Sequence, residues 1–331
     1  MKKRSGGLRQ ASFAGTLLLQ EKGIALLMVL WVLTALMVIV LSFSFLARTE
    51  TLATLSFKEG MEKKFLAEAG MERAITEMLY RRQNPASGES DAWKADGTPY
   101  SDHLGSGSYT VKILDESGKI DLNTLTDSSA IIFKNLLVNA GVTTENADTI
   151  VDSTLDWRDA DDLHRLHGAE SDYYRSLPNP YMAKNGNFDT VEELLMVKGM
   201  TPEILYGSEK NRGVINFLTV NSGSGTVNVT AAPREVLMAL PGMTAEIADS
   251  LLQYRADKTM QGLQDVQAVL GEGYKAMAPY IGFGASAAFT VDAVGYKTSE
   301  KKGYHIKATL VLEGTNKYRY VYYKSPMNII Q

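Results

Sequence analysis

From Gly23 to Ala47 the chain reads GIALLMVLWVLTALMVIVLSFSFLA, 25 residues without a charge, bounded by Lys22 and Arg48. About 20 apolar residues cross a bilayer core, so this pattern predicts a transmembrane helix over residues 24–47. No stop signal follows. Through residues 48–82 the apolar positions Leu52, Leu55, Phe65, Leu66, Ala69, Ile75, Met78 and Leu79 alternate with Glu and Lys, up to Asn84-Pro85. That spacing predicts an amphipathic continuation packed on its own domain. Unbroken, residues 24–82 would form a rod of roughly 90 Å.

Beyond the rod the period changes. Residues 83–107 are rich in Gly, Ser, Asp and Pro and read as a loop. Residues 108–114 alternate as a strand and Lys119-Ile-Asp-Leu-Asn is a second, short one; residues 288–296, 304–313 and 318–324 form a meander at the other end of the sequence. A small antiparallel sheet is therefore split around a long helical middle. The expected class is α+β, with residues 83–118 holding the loop and first strands, 119–285 an inserted helical domain, and 286–331 the last strands.

The middle repeats itself. Gly141-Val-Thr-Thr-Glu-Asn-Ala-Asp matches Gly242-Met-Thr-Ala-Glu-Ile-Ala-Asp, and Gly199-Met-Thr-Pro-Glu-Ile is a partial third copy. Glycine at a tight turn, Thr as the next helix's N-cap and Glu in its first turn predict helical hairpins. Such hairpins resemble the helix-hairpin-helix modules of DNA-binding proteins, so an exported, membrane-anchored DNA binder is the alternative reading. Two features oppose it. Each turn lacks the second glycine that lets backbone amides approach a phosphate, and residues 115–212 carry 18 acidic against 9 basic side chains, a balance of −9.

Charge also orients the membrane segment. Lys2, Lys3, Arg4, Arg9 and Lys22 face only Glu21 ahead of it, which leaves the N-terminus cytoplasmic and exports the bulk of the chain. The apolar run is too long for a signal-peptide core, which spans about 7 to 15 residues. Over all 331 residues the net charge is −4 and there is no cysteine, which excludes disulfide scaffolds, thiolate metal sites and thiol catalysis.

The basic leader ending Glu21-Lys22-Gly23, the stretch opening Ile24-Ala25-Leu26-Leu27, and Ala67-Glu68-Ala69-Gly70-Met71-Glu72 resemble the N-terminus of type IV pilins and type II secretion pseudopilins. Leu155-Asp-Trp-Arg-Asp-Ala-Asp-Asp, Gly168-Ala-Glu-Ser-Asp-Tyr-Tyr and Val191-Glu-Glu-Leu-Leu-Met-Val-Lys-Gly-Met-Thr are similar to the signature of the type II secretion minor pseudopilin K family. The resemblance implies a pseudopilin fold, with a long N-terminal helix against an antiparallel sheet. It implies a leader, residues 1–23, cut by the prepilin peptidase between Gly23 and Ile24, and N-methylation of Ile24. It also implies an inner-membrane anchor among lipid, a periplasmic C-terminal domain, and assembly with other minor pseudopilins and the major pseudopilin. Most members carry glutamate at the fifth mature position, where this chain has Met28. A carboxylate in lipid needs a partner, and a subunit without one suits the tip of a fibre.

The densest acidic run comprises Asp152, Asp156, Asp159, Asp161 and Asp162, followed by Glu170 and Asp172. Calcium takes six to eight oxygens, so Asp156, Asp159, Asp161, Asp162 and Glu170 are the candidate ligands of a structural Ca²⁺, a use that pseudopilins also share. The competing reading is a solvated acidic face neutralised by Arg158 and Arg165. The spacing is not that of an EF-hand, and no nucleophile elbow or phosphate loop occurs. His164 and His167 lack a metalloprotease context, so catalysis is not expected.

Overall fold

The computed structural model describes residues 15–84, 93–209, 211–257, 260, 262–297 and 302–327. The chain divides into two units, Met1–Met61 and Glu62–Gln331. Helix α1 (Gly15–Gln83) is followed by strands β1 (Asp96–Leu104), β2 (Gly107–Asp115) and β3 (Ile120–Asp121). Next come α2 (Ala130–Asn139), α3 (Thr144–Arg158), α4 (Ser171–Arg175), α5 (Pro202–Tyr206), β4 (Leu218–Thr219) and β5 (Val227–Asn228). Then follow α6 (Arg234–Leu237), α7 (Ala245–Asp257), α8 (Leu263–Leu270), α9 (Tyr274–Met277), β6 (Ile281–Gly282), β7 (Ala288–Lys297), β8 (Tyr304–Glu313) and β9 (Lys317–Lys324).

In the first unit every side chain from Ile24 to Lys58 is exposed, including Trp31, Leu33 and Phe43. Three threonine hydroxyls within and just beyond the apolar run are satisfied internally: Thr34 donates to the Trp31 carbonyl, Thr49 to Phe45 and Thr51 to Ala47. A helix that supplies its own hydrogen-bond partners is the form that tolerates lipid. The segment is long and apolar enough to cross a membrane.

In the second unit α1 packs on a five-stranded antiparallel sheet of order β1-β2-β7-β8-β9. Ala67, Met71, Ala74, Ile75 and Met78, at the i, i+4, i+7, i+8 and i+11 positions of one helix face, are buried against Tyr109, Val111 and Ile113 of β2, Val291 and Ala293 of β7, and Ile306, Ala308 and Leu310 of β8. Burying Met71, Ile75 and Met78 contributes about 1.5–3 kcal/mol each. The helix lies closest at Gly295, where an added Cβ would come within 2.1 Å of the Lys63 carbonyl oxygen.

Two expectations change here. Residues 83–107 are not all loop, because Asp96–Leu104 forms edge strand β1, paired with β2. Its Pro99 and polar side chains hide the strand signal, yet both suit a sheet edge. The short strand expected at Lys119–Asn123 narrows to β3 and leaves the sheet to pair in parallel with β4.

The helical middle has a separate core, including Phe133, Leu137, Ile150, Tyr174, Leu205, Leu237 and Leu251. Its hairpins form as their sequences dictate. Gly141, Gly199 and Gly242 all adopt positive φ, 93°, 87° and 81°, a region that side chains strain. Two residues on, Thr143, Thr201 and Thr244 accept hydrogen bonds from Asn146, Ile204 and Ile247 amides at the starts of α3, α5 and α7. The stretches ahead of two of these hairpins also correspond: Asp121, the last residue of β3, accepts from the Asn123 amide, and Asn228, the last residue of β5, from the Thr230 amide.

The chain passes from the sheet into the middle and back at a neck between the last residue of β2 and the approach to β7. Asp115 Oδ1 accepts from the Ser117 amide and hydroxyl, on the departing chain, and from the Ser286 hydroxyl, on the returning chain. Its Oδ2 accepts from the Ser286 amide. Beside it the buried Glu116 carboxylate pairs with Lys119 and accepts from Thr290 of β7 and Thr219 of β4.

Replacing Asp115 by Ala strands two backbone amides at about 1–3 kcal/mol each, so Asp115→Ala should lower the urea midpoint of the detergent-solubilised chain. Gly295→Val should do the same by about 1–3 kcal/mol through overpacking under α1. An unchanged midpoint in either variant counts against that contact.

Candidate metal centre

Asp152, Asp156 and Asp159 follow one another by four and three residues and share a face at the C-terminal end of α3, where Asp159 is the cap. Carboxylates are disfavoured there, because the unsatisfied carbonyls already place partial negative charge at that end of a helix. A cation nearby is the remedy. Asp156 is fully buried and Glu170, at the start of α4, is 1% exposed. Ligand atoms of Asp156, Asp159 and Glu170 all lie within 4.8 Å of one another. Asp161 and Asp162 are exposed on the following loop and outside this group; past the helix cap the face they would have shared no longer exists, and Asp161 instead accepts from the Leu163 amide.

Three observations define the group. Neither Glu170 oxygen, nor Oδ1 of Asp159, receives a hydrogen bond among the described residues although all are buried. An unpaired buried carboxylate is costly, and burial, then repulsion from Asp156, Asp159, Asp162 and Asp161, pushes the Glu170 pKa up to about 7. Burial also raises Asp156, against its hydrogen bonds from Arg165. The third is space: a Cβ on Gly168 would fall 1.8 Å from Asp156 Oδ2, so only glycine lets the loop close over that carboxylate.

The loop is tied on both sides. His167 donates its amide to Asp152, and Lys198 reaches the carbonyls of His167 and Gly168 at 3.3 and 3.0 Å. Beneath it Trp157 packs edge-on against Tyr174 at 5.2 Å. Of the two expected counter-ions, Arg165 meets Asp156, Asp159 and Asp127, whereas Arg158 turns away to the carbonyls of Leu122 and Leu125. Neither Arg158's structural role nor the need for Gly168 had a signal in the sequence, since both depend on segments brought together by folding.

These residues fit a hard cation. Asp156, Asp159 and Glu170 would hold it, with backbone carbonyls or water completing six to eight oxygens, and its charge would offset repulsion at the end of α3. Gly23 and Ile24, the expected cleavage position, lie within α1, with Ile24 more than half exposed.

Residues 118–207, which contain this centre, match the family described as "Type II secretion system (T2SS), protein K". Type II secretion system protein K of Pectobacterium carotovorum is 26% identical over 266 residues, covering 75% of this chain and 79% of that one. The chain is thus similar to type II secretion system protein K, by family model over residues 118–207 and by sequence over three quarters of its length. A second member of the K family, from Pseudomonas aeruginosa, is 29% identical over 56% of each chain. The putative protein K of Escherichia coli K12 is 41% identical over 78 residues, so the match takes in only 24% of its length and of this chain. The likeness in fold extends further than the likeness in sequence. A chain in the crystal structure of the GspK-GspI-GspJ complex from enterotoxigenic E. coli superposes with a TM-score of 0.62 at 17% identity, covering 83% of this chain and all of that one.

A chelator should lower the thermal midpoint of the wild-type chain and leave Glu170→Gln unmoved by Ca²⁺; equal midpoints with and without the ion in wild type argue against a structural cation. In chelator, stability should fall as pH rises from about 4.5 to about 7, because the folded state favours protonated Glu170 and loses that advantage as the group ionises. Excess Ca²⁺ should remove this decline, since binding requires the ionised form.

Proposed function

We propose that this chain is a minor pseudopilin of a type II secretion system. On this reading it is cleaved by the prepilin peptidase after Gly23, N-methylated at Ile24 and anchored in the inner membrane by residues 24–47. Its C-terminal domain then faces the periplasm. The observation that carries the proposal is the fold: a long apolar helix continuing onto an antiparallel sheet, with a helical domain inserted between neighbouring strands, shared along most of the chain with a structure from a GspK-GspI-GspJ complex.

The role is architectural rather than catalytic. Other minor pseudopilins assemble with this subunit to start the pseudopilus, and the major pseudopilin extends it below. Two features favour the tip. Met28 places a thioether where the resemblance expects a carboxylate, so this subunit has no buried acid seeking the amine of a subunit above it. The inserted domain adds bulk that a helix-and-sheet subunit lacks, and that bulk obstructs addition of another subunit. A Ca²⁺ held by Asp156, Asp159 and Glu170 would be structural. The acidity of residues 115–212 disfavours the DNA-binding alternative.

Mass spectrometry of the mature N-terminus provides the test. Methylated Ile24 is expected; an intact leader or a cut near Ala47 overturns the assignment. Co-expression with the other minor pseudopilins of the same system should yield a complex in detergent, and failure to co-purify with any of them removes the tip role.

A further inference from the structure

The arrangement of oxygens around Arg165 separates two roles that its guanidinium could have beside this acidic group, standing in for an ion or positioning the ligands of one. Nη1 lies 2.7 Å from Asp156 Oδ1 and 2.7 Å from Asp159 Oδ2, while Nε lies 2.9 Å from Asp127 Oδ1. One flat guanidinium thus fixes one oxygen of each aspartate and is itself held from outside by a third acid. Burial opposes its charge, and the hydrogen bonds to Asp127, Asp159 and Asp156 outweigh that and keep it ionised. The opposite oxygen of Asp159 and both oxygens of Glu170 receive no hydrogen bond among the described residues. Asp156 Oδ2 receives only the Arg165 amide, at 3.1 Å, among the bonds described. A tethered cation that merely filled the place of an ion would engage Glu170, the most isolated acid of the group. Arg165 does not touch it.

We infer that Arg165 is a positioning residue for a divalent cation, holding Asp156 and Asp159 by one oxygen each so that their other oxygens and the Glu170 carboxylate converge on the ion. The inference rests on the metal reading of this cluster. Its physical basis is that groups hydrogen-bonded to a metal's ligands orient them and commonly account for 10- to 100-fold in affinity. Arginine suits the task because its donors are rigidly coplanar; a lysine ammonium cannot span three carboxylates in the same way. Charge is compatible too, since three ligand carboxylates against one guanidinium leave two negative charges for a divalent ion.

Calorimetric titration of the detergent-solubilised chain with Ca²⁺ at pH 8 tests this. Arg165→Gln should weaken binding roughly 10- to 100-fold, and Arg165→Lys should recover only part of the loss. Lys198→Met, which loosens the same loop without touching a carboxylate, serves as the control and should bind within a few-fold of wild type. Tighter binding by Arg165→Gln makes the guanidinium a rival of the ion, and unchanged binding makes it a bystander. An equal loss in Lys198→Met means loop order alone matters. Each of these three overturns the inference while leaving the metal site standing. No binding by wild type removes the metal reading itself and this inference with it. Circular dichroism of each variant in chelator confirms that affinities are compared between folded chains, and Arg165→Lys carries the comparison should Arg165→Gln fail to fold.

Discussion

The second unit depends on one carboxylate. Inserting a domain between neighbouring strands requires the chain to leave and return about one strand spacing apart, roughly 4.8 Å. Asp115 imposes that spacing by gathering the amide and hydroxyl of Ser117 on the way out and of Ser286 on the way back. Glu116 secures the same point from inside. A buried ion pair is tolerable only when its remaining lone pairs are used, and here Lys119, Thr290 and Thr219 use both Glu116 oxygens. Two cores that share no cluster, one under α1 and one within the insert, meet at this junction, and Lys94 and Lys307 add further links through the Arg255 carbonyl and Asn216.

Within the insert, local chemistry repeats and global charge does not. Three Gly-x-Thr turns start three helices by the same device, yet only α3 ends in stacked acids. The helix dipole, Asp156, Asp159 and the adjacent Glu170 all press negative charge into one place. Arg165 answers part of it and leaves Glu170 unanswered. Gly168 makes room for this concentration of charge by letting the loop close over Asp156.

Much of this was legible in the sequence because it rests on short-range periodicity. The uncharged run, the helix face from Ala67 to Met78, the hairpin turns at Gly141, Gly199 and Gly242, and strands β7 to β9 all follow from spacing within a dozen residues. Strand β1 was hidden because an edge strand needs only one buried or paired side and can be made of Asp, Ser and Pro. For the acidic group, sequence density marked the stretch but could not tell which of its members lie together. Helix periodicity unites Asp156 with Asp159, whereas Asp161 and Asp162 lie past the cap and Glu170 is brought in by a loop. Arg158 and Arg165 look alike in sequence. Their different partners are set by where β3 and the Asp127 turn come to lie, which is tertiary information.

The placement of the insert also dictates an order of events during folding. Glu116 and Thr290, hydrogen-bonded across the neck, are 174 positions apart, and closing so long a loop of disordered chain costs conformational entropy before any strand contact rewards it. A folded insert removes that cost, because its two ends already emerge side by side. The central β2-β7 ladder, and with it the surface that receives α1, is therefore expected to form after a domain lying entirely outside the sheet.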